Sequence, residues 1–327
     1  MTAEPGPSAP AHNDLPPEQQ AAMRRAVRLE WITIAVMVVT IAAVYAVSGQ
    51  SQAMKVAWIE DTLSLLPPIA FLVAARIAHR APSSRFPYGL HRAVGIGHLV
   101  AGVALLAMGV FLVVDSGSGL LTGERPPLGV VEIGGQVIWV GWLMVAVMAL
   151  SCVGPVILGR MKAAPAAALH DKVLFADADM NRADWKTGIA TIVGVLGIGV
   201  GLWWADAVAA LVVSVSILRD GWANVRGAIE GLIDARPTRY DGTDPHPLVG
   251  EIDEALGGVE WARDHGVRVR DEGHIFHVEA FLVPADGQQV TVERLSDVRR
   301  RLRELSWKVE DVVVTVVDRV HGSHRLP

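Results

Sequence analysis

Two short stretches place cation-binding side chains inside an otherwise apolar chain: WIEDTLSLLPP, from Trp58 to Pro68, and FADADMNRADW, from Phe175 to Trp185. At about 100° per residue, a helix through the second stretch puts Asp177, Asn181 and Asp184 within roughly 60° of one another. Met180 lies at the edge of that face, and Asp179 points to the far side. The first stretch sets Glu60 and Asp61 one turn ahead of Ser64. Carboxylate, amide and hydroxyl oxygens suit hard or borderline divalent cations, while a thioether is a softer ligand. An acid in a membrane span costs roughly 2.5 to 3.5 kcal/mol on insertion scales, so it normally faces a bundle interior and marks an ion path or a proton relay. Two helices with several acids each suggest a shared cation site, in which ion and carboxylates offset one another's desolvation.

Taken singly, each acid also has a plainer reading as a helix cap or a headgroup-depth residue. Asp179 is read as the partner of Arg182, three residues on. Asp206, after Trp203 and Trp204, is read as an interfacial helix start. Pro67 and Pro68 remove two backbone donors, so a kink there frees carbonyls near Leu63 and Ser64. Such a kink serves either packing or ion coordination.

These residues are set in a membrane protein. Of 327 residues, 51% are hydrophobic and 19% charged, and the mean hydropathy is +0.37. A span needs roughly 20 mostly apolar residues. Six stretches qualify: about Leu29–Val47, Val56–Ala78, Ala93–Val114, Val131–Leu158, Leu174–Trp203 and Trp204–Arg219. Residues 1–27 are too polar and Pro-rich to fold alone and carry no signal-peptide pattern, so a disordered tail is expected there. The expected organisation continues with a transmembrane cation-transport domain over 28–222, a linker over 223–235, a cytoplasmic α/β domain over 236–320 and a tail over 321–327.

Arg24, Arg25 and Arg28 precede the first span; Arg76, Arg80, Arg85 and Arg92 lie between the second and third; Arg160, Lys162 and Lys172 lie between the fourth and fifth. The opposite loops carry only Lys55 and Arg125, so the positive-inside rule puts both termini in the cytoplasm of a multi-pass inner or plasma-membrane protein. The single cysteine, Cys152, excludes an internal disulfide. A net charge of −5 gives no reason to expect a nucleic-acid partner. No nucleophile elbow, His-Glu zinc helix or phosphate loop is found, so an enzyme is not expected.

The loop RFPYGLHRA, the segment ALHDKVLFADADMNRADW, the last span WADAVAALVVSVSILRDG and a C-terminal αβ region follow in an order that resembles the cation diffusion facilitator (cation efflux) family. The resemblance covers nearly all of the chain after the N-terminal tail. It implies six transmembrane helices, a small cytoplasmic ferredoxin-like domain, a homodimer in the lipid bilayer, and divalent-metal efflux by proton antiport. The family's zinc site pairs Asp-x-x-x-Asp on the second span with His-x-x-x-Asp on the fifth. Registered here, those four positions fall on Ser64, Pro68, Met180 and Asp184, so only one of the usual ligands remains. The resemblance in the C-terminal domain puts a frequent metal ligand at His265, with the others at Ala280 and Thr315. His274 and His277 are expected on opposite faces of a strand, and His321 and His324 in a frayed tail.

The expected metal face is therefore Glu60, Asp61, Ser64, Asp177, Met180, Asn181 and Asp184. The cargo is a divalent cation (Mn, Fe, Co or Zn), with Mn or Fe favoured over Zn, and no tightly bound cofactor is expected. The other reading is a membrane-anchored metal sensor or interaction protein that has kept the fold and lost transport.

Overall fold

Apolar runs of helical length become a helical bundle, broken where proline or a polar cluster interrupts the pattern. The structure, a computed structural model, describes residues 15–78, 83–86, 90, 92–123, 128–240, 242, 244–273 and 275–325. Most of the expected tail, part of the RFPYGLHRA loop, Arg80, Arg125 and His274 lie outside them. Helix α1 (Pro17–Val47) is followed by α2 (Gln52–Leu63), α3 (Leu66–Ala78) and α4 (Ala93–Thr122). A hairpin of β1 (Val130–Ile133) and β2 (Gln136–Trp139) leads to α5 (Val140–Ser151), α6 (Val153–Leu169), α7 (Lys172–Gly199) and α8 (Ala205–Leu232).

By length and composition, α1, α2 with α3, α4, α5 with α6, and α8 are the five described stretches apolar enough to cross a membrane. Helix α7 is as long, at 28 residues, but its first half carries the Asp177–Lys186 charges. It packs against α2, α3, α5, α6 and α8, within the same bundle.

Several expected boundaries move. Residues 17–27, expected as tail, form the first turns of α1: Pro17 stands at the helix start, where its missing N–H costs nothing. Met23 and Ala26 then pack on Phe71, Ala166, Leu169 and Leu174. The fourth span starts later than expected, because residues 130–139 pair as an antiparallel hairpin. Helix α8 continues through most of the expected linker to Leu232 and lies along α4. A Cβ at Gly221 would sit 2.7 Å from the backbone nitrogen of Leu106, so glycine there sets how closely the two backbones approach.

Asp206 also departs from expectation. It is fully buried and accepts hydrogen bonds from Ser51 Oγ at 2.6 Å, Gln52 N at 2.6 Å and Ala53 N at 3.3 Å. The carboxylate on α8 thus satisfies the orphan N–H groups that open α2. An interfacial residue would face water or headgroups; this one joins two helices.

The C-terminal domain runs α9 (Pro247–Gly257), β3 (Ala262–Asp271), β4 (Phe276–Pro284), α10 (Val292–Leu305) and β5 (Val309–Val316). Strand β4 is central, antiparallel to β3 and parallel to β5, the α10 crossover supplying the parallel connection. One face of α9 and α10 closes the core, with Leu248, Ile252, Leu256, Val298 and Leu302 set against Phe276, Val278 and Leu282. Beyond β5, residues 322–324 form a 3₁₀ turn. Its His324 ring stacks on Phe281 at 4.2 Å, and Arg325 pairs with Asp264 at 2.6 Å. These contacts hold the expected tail against the sheet.

Candidate metal centre

Helix α2 begins at Ser51, whose Oγ accepts from Met54 N at 3.1 Å, and it ends where Pro67 and Pro68 withhold the donors that Leu63 and Ser64 carbonyls would receive in an unbroken helix. The break lies at Ser64–Leu65, where Ser64 N still donates to Glu60 O at 2.9 Å. Glu60 and Asp61 therefore occupy the last turn before a gap in the span, with Ser64, 9% exposed, at the gap itself.

Helix α7 is capped by Asp171, which accepts from Leu174 N at 2.9 Å. Two turns on, its face meets α2. The carboxylates of Glu60 and Asp61 on α2 and of Asp184 on α7 lie within electrostatic range of one another, with Thr187 close to Glu60. One oxygen of Asp61 is buried without a hydrogen-bond partner. Met180, like Ile59 and Leu63, packs against the cluster that joins α2, α4 and α8. Glu60 and Asp61 on α2 and Asp184 on α7 thus share one region of the bundle, with Ser64 at the α2–α3 break.

A second interruption stands between α5 and α6 at Cys152. Cys152 Sγ lies 3.9 Å from the Asp184 carbonyl. A Cβ at Gly188 would come within 2.2 Å of that sulfur, so glycine is what lets the α5–α6 joint seat on α7.

Asp177 and Asn181 share the predicted helical face but have different surroundings. Asp177 is an ion-pair partner of Lys162 on α6, whose Nζ also binds Glu30 Oε2 of α1 at 2.9 Å. Lys162 and Glu30 have no exposed side-chain surface, and Asp177 has 4%. Lys162, grouped by sequence with the loop cations, is in fact the centre of a buried charge triad, and Asp177 belongs to that triad. Asn181, 3% exposed, is buried beside it. Sequence reasoning missed Glu30 and Lys162. The available signal was one acid and one base of opposite sign at the ends of two apolar runs, where a base is normally read as a loop residue. Asp179 pairs with Arg182 at 2.8 Å, as expected.

A cavity of about 490 Å³ opens between α4, α7, α8 and the C-terminal domain. Its lining includes His98, Asp179, Met180, Asp220 and Asn224, with His98 Nε2 and Asn224 Oδ1 2.9 Å apart. The cavity leads from the C-terminal-domain side to Met180, one turn from Asp184. Among the described residues, no three His, Cys, Asp or Glu side chains are gathered tightly enough to hold an ion by themselves. A cation here would need the Asp61 and Asp184 carboxylates together with serine or backbone oxygens and the Met180 sulfur. In the C-terminal domain, His265 lies 3.3 Å from Asp253, and His277 Nδ1 lies 2.8 Å from Asp311; neither histidine belongs to a metal cluster among the described residues.

The family model for the cation efflux transmembrane domain matches residues 30–233. Similar proteins include three from Bacillus subtilis (strain 168). The manganese efflux system protein MneS is 22% identical over 256 residues, 78% of this chain and 82% of its own length. The manganese efflux system protein MneP is 21% identical over 273 residues, 81% of this chain and 84% of its own length. The uncharacterized transporter YdbO is 24% identical over 264 residues, 80% of this chain and 82% of its own length.

Proposed function

The chain belongs to the cation efflux family of membrane metal transporters, and from that premise we propose that it exports Mn²⁺ or Fe²⁺ from the cytoplasm in exchange for protons. The observation that supports this reading is the helix break at Ser64–Leu65, with Glu60 and Asp61 in the turn before it, Asp184 within electrostatic range on α7, and Met180, one turn from Asp184, lining a cavity open toward the C-terminal domain. Broken helices at membrane depth are tolerated where they line an ion path. The donor set is rich in oxygen and lacks imidazole, which disfavours zinc. Two of the similar proteins are manganese efflux systems by name.

Carboxylates must be deprotonated to bind a cation, so loading Asp61 and Asp184 releases protons and unloading takes them up. The bundle would alternate between two faces of the membrane, with the C-terminal domain and both termini on the cytoplasmic side. The protein acts as a homodimer. Asp177 takes no ion in this reading, because Lys162 already occupies its carboxylate.

Proteoliposomes loaded with a pH-sensitive dye test the proposal. Mn²⁺ or Fe²⁺ should drive proton movement, Asp61→Asn and Asp184→Asn should abolish it, and Met180→His should raise Zn²⁺ transport relative to Mn²⁺. Absence of proton movement with Mn²⁺, Fe²⁺, Co²⁺ and Zn²⁺ alike would refute antiport, and an unchanged rate in Asp184→Asn would refute the site.

A further inference from the structure

A second cavity, of about 250 Å³, lies where the membrane bundle meets the C-terminal domain. Its lining includes His170, Arg239, His246, Glu251, Ser306 and Lys308. His170 is the left-handed cap of α6, at φ 49°. His246 is the N-cap of α9, an 11-residue helix, so the helix start also faces the cavity. The two imidazole rings are 5.2 Å apart.

His246 Nδ1 accepts from Leu248 N at 3.2 Å, which leaves the ring proton on Nε2 as a donor. Nε2 is buried without a partner, in a residue only 8% exposed. His170 Nδ1 is likewise buried and unpartnered. Lys308 is 2% exposed; among the described residues its ammonium meets a single acceptor, Gly273 O at 3.4 Å, and lies 4.6 Å over the Phe276 ring. An ammonium has three donors. Burial lowers the proton affinity of both Lys308 and His246, which keeps the imidazole a neutral donor.

Asp271 and Asp171 act on Lys308 through space and have other partners. Asp171 caps α7, and Asp271 pairs with Lys172 at 2.9 Å and accepts from Gly273 N at 2.9 Å. The lining itself carries two cations, Arg239 and Lys308, and one acid, Glu251. A metal cation would find His246 Nδ1 already in use and two cationic side chains in the lining. The volume falls below the roughly 300 to 1,000 Å³ of pockets that hold drug-sized ligands, which suits a small ion with a few waters rather than a nucleotide.

We propose that this cavity binds a phosphate-type oxyanion, as free phosphate or as a lipid headgroup, and so fastens the α6–α7 turn to the C-terminal domain. The anion would accept from Arg239, Lys308 and His246 Nε2, charge-assisted bonds of the kind that dominate phosphate recognition. Calorimetric titration of inorganic phosphate into the full-length protein in detergent at pH 7.5, with potassium chloride as the ionic-strength control, tests it. Saturable binding by phosphate and not by chloride is expected, weakened at least about tenfold in Lys308→Met and in Arg239→Gln. Because Arg239 is exposed, its variant should fold even if Lys308→Met does not. In nanodiscs, competition from phosphatidic acid and not from phosphatidylcholine assigns the headgroup as the source; phosphate binding that is equal in both lipids assigns the free ion. Heats matched by chloride, or undiminished affinity in Arg239→Gln, would overturn the proposal.

Discussion

Replacing Lys162 by methionine puts the buried triad to a quantitative test. The substitution keeps an unbranched side chain of similar length in a site with no exposed surface, so cavity formation contributes little. What changes is charge. Glu30 and Asp177 stay buried, now without the ammonium that lies 2.9 Å from one and in direct contact with the other. Removing one partner of a buried ion pair typically costs about 3 to 5 kcal/mol, a large share of the about 5 to 15 kcal/mol that holds a typical protein folded. At about 2 to 4 °C per kcal/mol for a body of roughly 200 residues, melting should fall on the order of 10 °C. Tryptophan fluorescence in detergent can follow it, since the chain has 10 tryptophans. Neutralising all three positions, as Glu30→Gln, Lys162→Met and Asp177→Asn, should recover most of the loss, because a neutral, packed replacement of a buried charge cluster is often as stable as the original. The electrostatic argument fails if Lys162→Met alone costs less than about 1 kcal/mol, or if the triple variant melts no higher than the single one.

Two further outcomes follow from contacts elsewhere. Gly188→Ala would drive a methyl into Cys152 Sγ, 2.2 Å away; overpacking of this kind costs about 1 to 3 kcal/mol, and adding Cys152→Ala should restore the lost melting temperature. Burial, with Lys308 and His170 beside it, pushes the His246 imidazole down from 6.5 to about 4. The unfolded chain therefore binds a proton that the folded one refuses, so stability should fall as pH drops from about 6.5 toward 4. His246→Asn, which can still cap α9, should flatten that slope in thermal melts, and parallel wild-type and variant curves would contradict it.

The fold was legible wherever one pattern governed a segment. The C-terminal region was legible as an α/β domain, while its division into three strands and α10 comes from the structure. The bundle was legible from apolar runs, and the broken second span from Pro67–Pro68. Boundaries failed where packing decided: nothing local marks residues 17–27 as helix until Met23 and Ala26 find Phe71 and Leu169. The candidate centre was half legible. Helical phase placed Asp177, Asn181 and Asp184 on one face, yet phase cannot say which neighbour each part of that face meets. Asp177 meets the Lys162 ammonium of α6, while Asp184 lies in range of Asp61 on α2 and Met180 lines the cavity. Lys162 and Asp206 were misread for one reason. A charge at the end of an apolar run looks solvent-facing until a residue more than a hundred positions away covers it, as Glu30 covers Lys162 and Ser51 covers Asp206.

The bond between Asp206 and the start of α2 restricts how the bundle can move. With three donors of Ser51, Gln52 and Ala53 clamped by one carboxylate of α8, α2 and α8 behave as a single lever. Helix α3, beyond the Ser64–Leu65 gap, leans on α1, α4 and α7 and is free of that clamp. A bend in the second span would therefore be absorbed at the gap itself, with Glu60 and Asp61 on the last turn of the clamped segment.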